Sequence, residues 1–393
     1  MLFKAFQLNL KIQKVLQEQH YEQPTPIQQM AISLLLEGKD LMACASTGTG
    51  KTAAYALPIL EKLACEGKVP CQKIPIRALI LAPTRELALQ IEKSFQIYGK
   101  YLDVQMAVIY GGVSQKRQVN AIRREPDILI ATPGRLIDLV EHRFLDLSHI
   151  DIFVLDEADR MLDLGMGKDV KKIISWLPKK RQNMLFSATM SKEVTGLVDC
   201  ILKAPVKLNV NISDREIIKI RENLYFVEES YKTALLLKLL KDESLESVLI
   251  FTKTQRRADQ VSKVIQKVHI RTKVIHGGRT QQARQDALEL FKTKRIRILV
   301  ATDIAARGLD IHDLTHVINV DLPQVPETYI HRIGRTGRAG KFGEAISFCS
   351  PHEVELLQGI EKYLGRQLIE VENHEFLPLH MVMIRNRNNH ATL

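Results

Sequence analysis

The sequence is poor in aromatic residues and cysteine, and it contains no long apolar run. Aromatic side chains make up 6% of the 393 residues. The five cysteines form no C-x-x-C pair and no metal-ligand spacing, which excludes the common zinc sites and favours reduced thiols. No run approaches the roughly 18 apolar residues of a membrane-spanning helix, and the N-terminus lacks the pattern of a secretory signal. We therefore expect a soluble, cytoplasmic protein.

Low-complexity tracts are also missing, and hydrophobic residues make up 45% of the chain, which argues against disorder and allows two buried cores. The net charge is +11; 28 basic and 22 acidic residues over 1–210 give +6, which leaves +5 for the rest. Because the excess is shared by both halves, it fits a polyanionic partner, although ordinary solubility charge would give the same balance.

Short continuous apolar runs recur along the chain, and segments of helical spacing, such as 86–96 and 258–267, lie between them. Continuous rather than alternating apolarity indicates strands buried on both faces of parallel sheets, and so an α/β fold. The predicted strands cover 41–44, 78–81, 106–109, 128–130, 152–155, 184–186, 248–251, 273–275, 298–300, 317–320 and 345–348.

Pro205 and the polar stretch N-I-S-D-R-E that follows it predict a boundary between two domains. We expect a first domain over 1–208, a linker over 209–220, a second domain over 221–370, and a short, frayed tail over 371–393. Ligands of open α/β sheets bind at the carboxyl ends of strands. The chemistry is therefore expected in a cleft between two similar domains.

A glycine-rich loop follows the first apolar run and precedes a helix-compatible stretch. Backbone N–H groups in such a loop cradle phosphates, the lysine reaches the β- and γ-phosphates, and the final threonine hydroxyl binds Mg²⁺. Ala45 stands where the general pattern has glycine, but a small residue still permits the tight exit. The loop predicts a nucleoside-triphosphate site formed by Ala45, Ser46, Thr47, Gly48, Thr49, Gly50, Lys51 and Thr52.

Two carboxylates, Asp156 and Glu157, follow the apolar run 152–155. A solvated acidic loop is the alternative, but the exit of a buried strand delivers both to the sheet edge that carries the loop. We assign Asp156 to the Mg²⁺ shell and Glu157 to the attacking water. The segment H-R-I-G-R-T-G-R at 331–338 offers arginines for the charge that develops in phosphoryl transfer. The chain is predicted to be an NTPase.

A series of short motifs runs through the chain in a fixed order. They are Y-E-Q-P-T-P-I-Q (21–28), P-T-R-E-L-A (83–88), Gly111-Gly112, T-P-G-R (132–135), D-E-A-D (156–159), S-A-T (187–189), L-I-F-T-K-T (249–254), Q-Q-A-R (281–284), A-T-D-I-A-A-R-G-L-D (301–310) and H-R-I-G-R-T-G-R (331–338). In these motifs the chain resembles the DEAD-box ATP-dependent RNA helicases, and D-R-M-L-D-L-G at 159–165 is similar to the bacterial RhlE-type subgroup. The resemblance implies two RecA-like domains, each a mostly parallel sheet flanked by helices, joined by a flexible linker. It also implies ATP and Mg²⁺ as cofactors.

The resemblance assigns further residues to the nucleotide. The Gln28 carboxamide can bond adenine N6 and N7 and would disfavour guanine, while Tyr21 packs on the base and Phe3 supports the pocket wall. In the second domain, Arg335 and Arg338 resemble arginine fingers. The resemblance also places Gly308 and Asp310 near the phosphate and ribose, and it assigns interdomain coupling to Ser187, Thr189 and His331.

Contacts to RNA are implied on other loops. Arginines there suit phosphates, and glycines let the backbone come close. No aromatic ladder interleaves them, so contacts to the RNA backbone and weak sequence preference are expected. The implied residues are Pro83, Thr84, Arg85, Gly111, Gly112, Thr132, Pro133, Gly134, Arg135, Arg284 and Thr302.

The resemblance implies an RNA-stimulated ATPase that unwinds short RNA duplexes locally or remodels RNA–protein complexes when ATP and RNA close the cleft. An ATP-gated RNA clamp or scaffold with little unwinding would use the same residues and stays open. A DNA translocase is the third alternative, and the D-E-A-D and S-A-T motifs argue against it. Expected partners are single-stranded RNA and short duplexes, with ribonucleoprotein, degradosome or ribosome-assembly partners as further candidates and no membrane.

Overall fold

Two α/β units make up the chain, and each is built on a seven-stranded sheet. The computed structural model describes residues 2–45, 48–66, 76–210, 220–303, 314–337, 342–372 and 374–377. Packing divides the chain between Ile212 and Ser213. All strand pairs in the described ranges are parallel. The predicted fold class, two RecA-like domains with parallel sheets flanked by helices, is confirmed.

The first unit alternates strands and helices. Its strands β1–β7 are Leu41–Ala45, Ala78–Leu81, Met106–Ile109, Ile128–Ala131, Ile152–Leu155, Gln182–Ser187 and Val206–Val210. Its helices α1–α9 are Leu10–Glu18, Pro26–Leu36, Lys51–Glu66, Arg85–Tyr98, Gln115–Ile122, Pro133–Glu141, Ala158–Asp163, Gly167–Trp176 and Lys192–Ile201, and a 3₁₀ helix covers Phe3–Phe6. Strands β2, β4, β5 and β6 are buried at every residue, as expected where helices cover both faces of a sheet.

The second unit repeats this plan. Its strands β8–β14 are Ile220–Phe226, Val248–Phe251, Thr272–Ile275, Ile298–Ala301, His316–Asn319, Gly343–Cys349 and Ile369–Glu370. Its described helices α10–α14 are Lys232–Leu239, Gln255–Lys267, Gln281–Lys292, Pro326–Ile333 and Val354–Leu364, and 3₁₀ helices cover Glu229–Tyr231 and Pro351–Glu353. Among the residues that the structure describes, no helix has both the length and the apolar composition to cross a bilayer.

The two sheets have the same strand order. It is β3-β4-β2-β5-β6-β1-β7 in the first unit and β10-β11-β9-β12-β13-β8-β14 in the second, so each strand of the second unit is the counterpart of the strand numbered seven lower. A segment that follows a strand in one unit therefore has a counterpart at the same place on the edge of the other sheet.

Threonine caps begin several helices soon after a strand ends. The Thr84 hydroxyl accepts from the Leu87 N–H at the start of α4, and Thr254 and Thr280 do the same for α11 and α12. Such caps satisfy backbone donors that the first helical turn leaves unpaired. The helix starts, and with them the loops that precede them, are thereby fixed relative to the strands.

The sequence prediction missed β7, β8 and β14. In β7 the buried residues do not form a continuous run, since only its central residue is buried, and the pattern used to find strands fails there. The linker predicted over 209–220 is wrong at its ends, because β7 extends to Val210 and β8 begins at Ile220. Residues 211–219 lie outside the described part of the chain.

The predicted frayed tail starts too early. The Val371 N–H donates to the Leu224 carbonyl at 2.9 Å, the Glu375 carboxylate pairs with Lys238 at 3.0 Å, and the Phe376 ring lies 6.0 Å from that of Tyr231. Residues 371–372 and 374–377 therefore pack on the second unit, and a frayed segment beginning at 371 is wrong for them. Residues 378–393 lie outside the described ranges.

A buried lysine at the start of α10 joins three parts of the second unit. The Lys232 side chain is fully buried, and its Nζ lies 2.5 Å from Glu353 Oε2, 3.0 Å from Glu229 Oε2 and 3.5 Å from Asp321 Oδ1. Glu353 also accepts from the Leu322 N–H. A buried amine is tolerated here because carboxylates surround it.

Replacing Lys232 with alanine should lower the free energy of unfolding by about 3 kcal/mol, because it leaves carboxylates buried without their counter-ion. Lys238→Ala is the control, since it removes an exposed pair with Glu375 and should change the free energy by less than about 1 kcal/mol. Urea denaturation of the full chain measures both. Equal effects of the two variants would show that the buried cluster does not stabilise the unit.

Candidate functional site

Several motifs of the first unit directly follow strands of the first sheet. They therefore lie along its carboxyl edge in the order of the strands. Along the carboxyl edge, the segments that follow β3, β4 and β2 are the predicted RNA segments at 111–112, 132–135 and 83–85. Those that follow β5, β6 and β1 are the acidic motif, Ser187–Thr189 and the phosphate loop. Neighbouring strands of a sheet lie about 4.8 Å apart. The RNA segments and the nucleotide segments therefore occupy adjoining halves of one edge.

The phosphate loop turns through two glycines in the left-handed region, Gly48 at φ 85° and Gly50 at φ 90°. A Cβ on Gly50 would lie 2.4 Å from Gln28 Nε2, so only glycine fits there. The buried Lys51 donates from Nζ to the Ala45 carbonyl at 2.9 Å, across the loop. Ser46 and Thr47 lie outside the described residues.

Gln28 is held by its own helix and by the phosphate loop. Its Oε1 accepts from the Thr25 N–H at 2.9 Å, and its Nε2 donates to the Gly50 carbonyl at 3.1 Å. The Thr25 hydroxyl donates to the Thr49 carbonyl at 2.7 Å. An amide group has two N–H donors and two oxygen lone pairs, so one donor and one acceptor remain. These are the two groups that adenine N7 and N6 require, which is consistent with the prediction that Gln28 recognises adenine.

Tyr21, predicted to stack on the base, packs in a wall of aromatic side chains. Tyr21 is 40% exposed, and its ring stacks on Phe3 at 6.1 Å with an interplanar angle of 23°. Tyr98 contacts the same ring at 6.2 Å. Phe3 itself is buried, so it can only support the wall. The exposed Tyr21 surface is large enough to stack on a base.

Asp156 lies at the end of β5 in a buried setting. Its Oδ2 accepts from the Tyr55 hydroxyl at 2.9 Å, and its Oδ1 accepts from the Glu157 N–H at 2.9 Å. Burial raises the pKa of Asp156 to about 6, against the opposing charge of Lys51, and the Glu157 carboxylate adds to the rise. The Tyr55 hydroxyl also bonds the Thr52 side chain, so one phenol joins the two predicted Mg²⁺ ligands. A hydroxyl and a carboxylate are oxygen donors of the kind Mg²⁺ prefers.

Glu157 adopts an unusual backbone conformation, with φ 52° and ψ 55°. Non-glycine residues are uncommon there, and such strain persists only where neighbouring contacts enforce it. The Arg160 guanidinium donates to Glu157 Oε2 at 2.9 Å, and both side chains are buried. Sequence reasoning missed Arg160 and Tyr55. Arg160 could have been found from its spacing, because residues three apart are neighbours on a helix.

The acidic motif is locked to the end of β6 through Asp159. Its Oδ2 accepts from the backbone N–H groups of Ala188 and Thr189 at 3.2 and 3.0 Å, and from the Thr189 hydroxyl at 3.1 Å. The Ser187 hydroxyl accepts from the Asp159 N–H and donates to the Thr189 carbonyl. A shift of Glu157 would therefore reach Ser187 and Thr189 directly. Their coupling to His331, on α13 of the second unit, stays a prediction.

The predicted RNA arginines of the first unit contact their own unit. The Arg85 guanidinium lies 4.4 Å from the centre of the Tyr110 ring. Arg135 donates from Nη1 to Gln118 Oε1 at 3.1 Å and from Nη2 to the Val113 carbonyl at 3.3 Å. Arg135 therefore braces the turn that follows β3, and its contact with phosphate stays a prediction.

The turn itself is open. Gly111 and Gly112 are exposed, Gly112 has φ 79°, and a Cβ on either glycine would meet no atom within 4 Å. The other residues of this half frame the same edge. Pro83 is buried, Thr84 caps α4, Thr132 and Pro133 begin α6, and Gly134 is exposed.

In the second unit, the described site residues lie beside β11, on α12, and on and just after α13. Thr302 follows β11 and is buried, and the Arg284 guanidinium donates to Gln281 Oε1 at 3.2 Å. Arg335 is buried just after α13. Arg332, which sequence reasoning did not assign, pairs with Asp303 through bonds of 2.6 and 2.7 Å. Gly308, Asp310 and Arg338 fall outside the ranges that the structure describes.

Comparisons with known families and proteins agree over most of the chain. The family described as DEAD/DEAH box helicase matches residues 25–197, and the helicase conserved C-terminal domain matches residues 231–340. The DEAD-box ATP-dependent RNA helicase CshA of Geobacillus kaustophilus (strain HTA426) is 39% identical over 93% of this chain and 77% of its own length. CshA of Bacillus subtilis (strain 168) is 39% identical over 93% and 73%.

Solved structures show the same likeness. S. cerevisiae Dbp5 bound to RNA and ADP BeF3 superposes with a TM-score of 0.83 at 32% identity, covering 94% of this chain and 95% of that one. The DEAD-box helicase Mss116 bound to ssRNA and UDP-BeF gives a TM-score of 0.82 at 29% identity, covering 95% and 80%.

Asp156→Asn should make the chain more stable at neutral pH. Since the folded pKa is raised above the unfolded value of 3.8 to about 6, the folded chain binds this proton more tightly. Wild-type stability from this group is therefore lost as the pH rises from about 4 to about 6. Asparagine carries no charge, and the gain above that window is at most about 3 kcal/mol.

Thermal unfolding between about pH 4 and pH 7 measures this effect, with the stabilisation shrinking towards the acid end. The control is Asp199→Asn on α9, an exposed carboxylate whose loss should change stability by less than about 0.5 kcal/mol. A variant at Asp156 that melts at or below the wild-type temperature at pH 7 would contradict the prediction.

Proposed function

Because this chain belongs to the DEAD-box family of ATP-dependent RNA helicases, we propose that it hydrolyses ATP on binding RNA and uses the cycle to unwind short duplexes or remodel RNA–protein complexes. One observation carries the proposal. The segments predicted to bind the nucleotide and those predicted to bind RNA follow strands in adjoining halves of the first sheet, which supports the proposal. The Asp159 bonds to Ser187 and Thr189 tie the acidic motif to the next strand. The partner is then RNA as a single strand or short duplex.

The roles at the phosphates follow from the residues present. Lys51 binds the β- and γ-phosphates in exchange for the Ala45 carbonyl it contacts now. Thr52 and Asp156 would hold Mg²⁺, which supplies charge neutralisation at the transferred phosphoryl group. Glu157 positions the attacking water and takes up its proton, and Arg160 holds the Glu157 carboxylate in place for that task.

The second unit supplies positive charge for the transition state. We assign Arg335 and Arg338 to the charge that develops on the equatorial phosphate oxygens, for which planar guanidinium groups are suited. The division of the chain into two domains is part of this proposal, and so are the contacts of Gly308 and Asp310 with the phosphate and ribose. Hydrolysis then requires both units, and RNA stimulates it by favouring their productive arrangement.

RNA is held through its backbone. The exposed Gly111–Gly112 turn lets phosphates approach the main chain, and Arg85 and Arg284 are cations in the first turns of α4 and α12. The relatives of known structure named above were solved with RNA, which supports the assignment. Contacts of this kind carry no base readout, so sequence preference is weak.

The subgroup and the partner complexes are supported by fewer observations. The segment at 159–165 favours the RhlE-type subgroup, whereas the two relatives described above are CshA proteins. We keep the subgroup, and partners in degradosome or ribosome-assembly complexes, as hypotheses to be tested by affinity capture from cells that express the tagged chain. An ATP-gated RNA clamp or scaffold with little unwinding remains the second candidate, because it needs the same residues.

Glu157→Gln should lower RNA-stimulated ATP turnover at least a hundredfold, because the carboxylate that takes up the proton is lost. Glutamine keeps the shape and an oxygen acceptor for Arg160, so ATP binding should stay within about threefold of wild type. Turnover is measured by phosphate release and binding by a fluorescent ATP analogue. Near-normal turnover would remove Glu157 from the mechanism.

The same variant separates the two candidate functions. A helicase should separate a short RNA duplex in wild type and fail in Glu157→Gln under multiple turnover. A clamp should hold RNA in both proteins and separate little duplex in either. Glu193→Gln on the exposed start of α9 is the matched control, and it should leave both assays unchanged.

Replacing Gln28 should weaken base selection. Gln28→Glu keeps the acceptor for the Thr25 N–H but removes the donor to Gly50 and adenine N7, so the preference for ATP over GTP should fall by about 1–3 kcal/mol. Gln29→Glu alters the exposed neighbouring residue and should keep the wild-type preference. Competition of unlabelled ATP and GTP against one labelled nucleotide measures the ratio. A wild-type protein that binds both equally well would overturn the adenine pocket.

A further inference from the structure

A short segment is repeated in the two units. V-I-Y-G-G-V-S-Q at 108–115 leads from β3 into α5, and V-I-H-G-G-R-T-Q at 274–281 leads from β10 into α12. β3 and β10 are counterparts at the same end of the two sheets. In this alignment Gln118 of α5 occupies the place of Arg284 of α12, the residue predicted to bind RNA phosphate. α5 is therefore the counterpart of a predicted RNA-binding helix.

The outer face of α5 is basic. Lys116, Arg117, Arg123 and Arg124 are all exposed. At 100° per residue these four positions fall within one arc of about 120°, and the buried Gln118 lies on the opposite side of the helix. The helical turn continues to Arg123, whose N–H donates to the Val119 carbonyl at 3.0 Å.

These charges are not neutralised by the protein around them. In the described part of the chain, none of the four cations pairs with a carboxylate, and α5 itself contains no acidic residue. On α12, by contrast, Asp286 and Glu289 are exposed. The basic face is thus a property of α5 and not of the repeated fold.

α5 is also fixed to the turn that precedes it. Gln118 is buried, donates from Nε2 to the Tyr110 carbonyl at 2.9 Å, and accepts from Arg135, which in turn bonds the Val113 carbonyl. The carbonyls of Tyr110 and Val113 flank the two glycines. The open turn and the basic helix are therefore held as one continuous surface.

We propose that this face of α5 binds the phosphates of RNA that continues past the Gly111–Gly112 turn. The inference rests on the RNA binding proposed above and extends its path. Eight helical residues rise about 12 Å, which matches about three phosphates of a stacked strand. Besides the four cations, the arc offers only Asn120 and no aromatic or aliphatic anchor of the kind protein partners use.

The test compares two charge-removal variants of the full chain. Arg117→Gln/Arg124→Gln takes two cations from the basic face, one on α5 and one just after it, and Lys168→Gln/Lys171→Gln takes two exposed cations from α8. Binding of labelled oligouridine is measured over a range of KCl concentrations, with a strand of about twelve nucleotides and one of about five. ATP binding is measured alongside.

The α5 variant should bind the longer RNA roughly fivefold more weakly per lost contact at about 0.1 M salt, and its salt dependence should flatten by about 0.7 per contact. The shorter RNA, ATP binding and the α8 variant should stay at wild-type values. An α5 variant that binds the longer RNA with wild-type affinity and salt dependence overturns the inference alone. A wild-type chain that binds neither RNA overturns the proposed function, and this inference with it.

Discussion

Parallel strand pairing is the constraint on which the rest of the structure depends. Because every described strand of a sheet runs the same way, each loop that leaves a carboxyl end reaches the same edge, whatever its place in the sequence. Residues more than a hundred positions apart, such as Tyr55 and Asp156, become hydrogen-bonded neighbours. Because the two sheets have the same strand order, the same arrangement of loops occurs in both units. β3 and β10 are accordingly each followed by a turn that contains two glycines.

Buried charges at that edge lower the stability of the fold, but they provide groups suited to catalysis. Asp156 is kept in a setting that raises its pKa, and Glu157 is kept in a strained backbone conformation beside a buried arginine. Neither arrangement helps the chain to fold. The network at Lys232 differs, since its charges compensate one another. Backbone strain and buried carboxylates thus mark the half of the edge that carries the acidic motif.

The sequence predicted the buried strands well, because continuous apolarity is a direct consequence of burial on both faces. It failed for β7, which is partly exposed, and for the start of the tail, where single contacts such as Phe376 with Tyr231 decide the packing. Motifs located the phosphate loop and the acidic pair. They did not reveal Tyr55, Arg160 or Gln118, because these residues act through neighbours that only the fold brings close. The bracing of the glycine turn by Arg135 was hidden for the same reason.

The double role of Gln28 affects how a nucleotide with a base other than adenine would be rejected. One carboxamide holds the Gly50 carbonyl of the phosphate loop and also presents the groups predicted to recognise adenine. The Gln28 carboxamide would thus control both the selection of the base and the alignment of the phosphates. A nucleotide with another base would disturb the loop as it binds, so it would be rejected in the chemical step as well as on entry. Selectivity measured by turnover should then exceed selectivity measured by binding, a form of substrate checking that requires no second site.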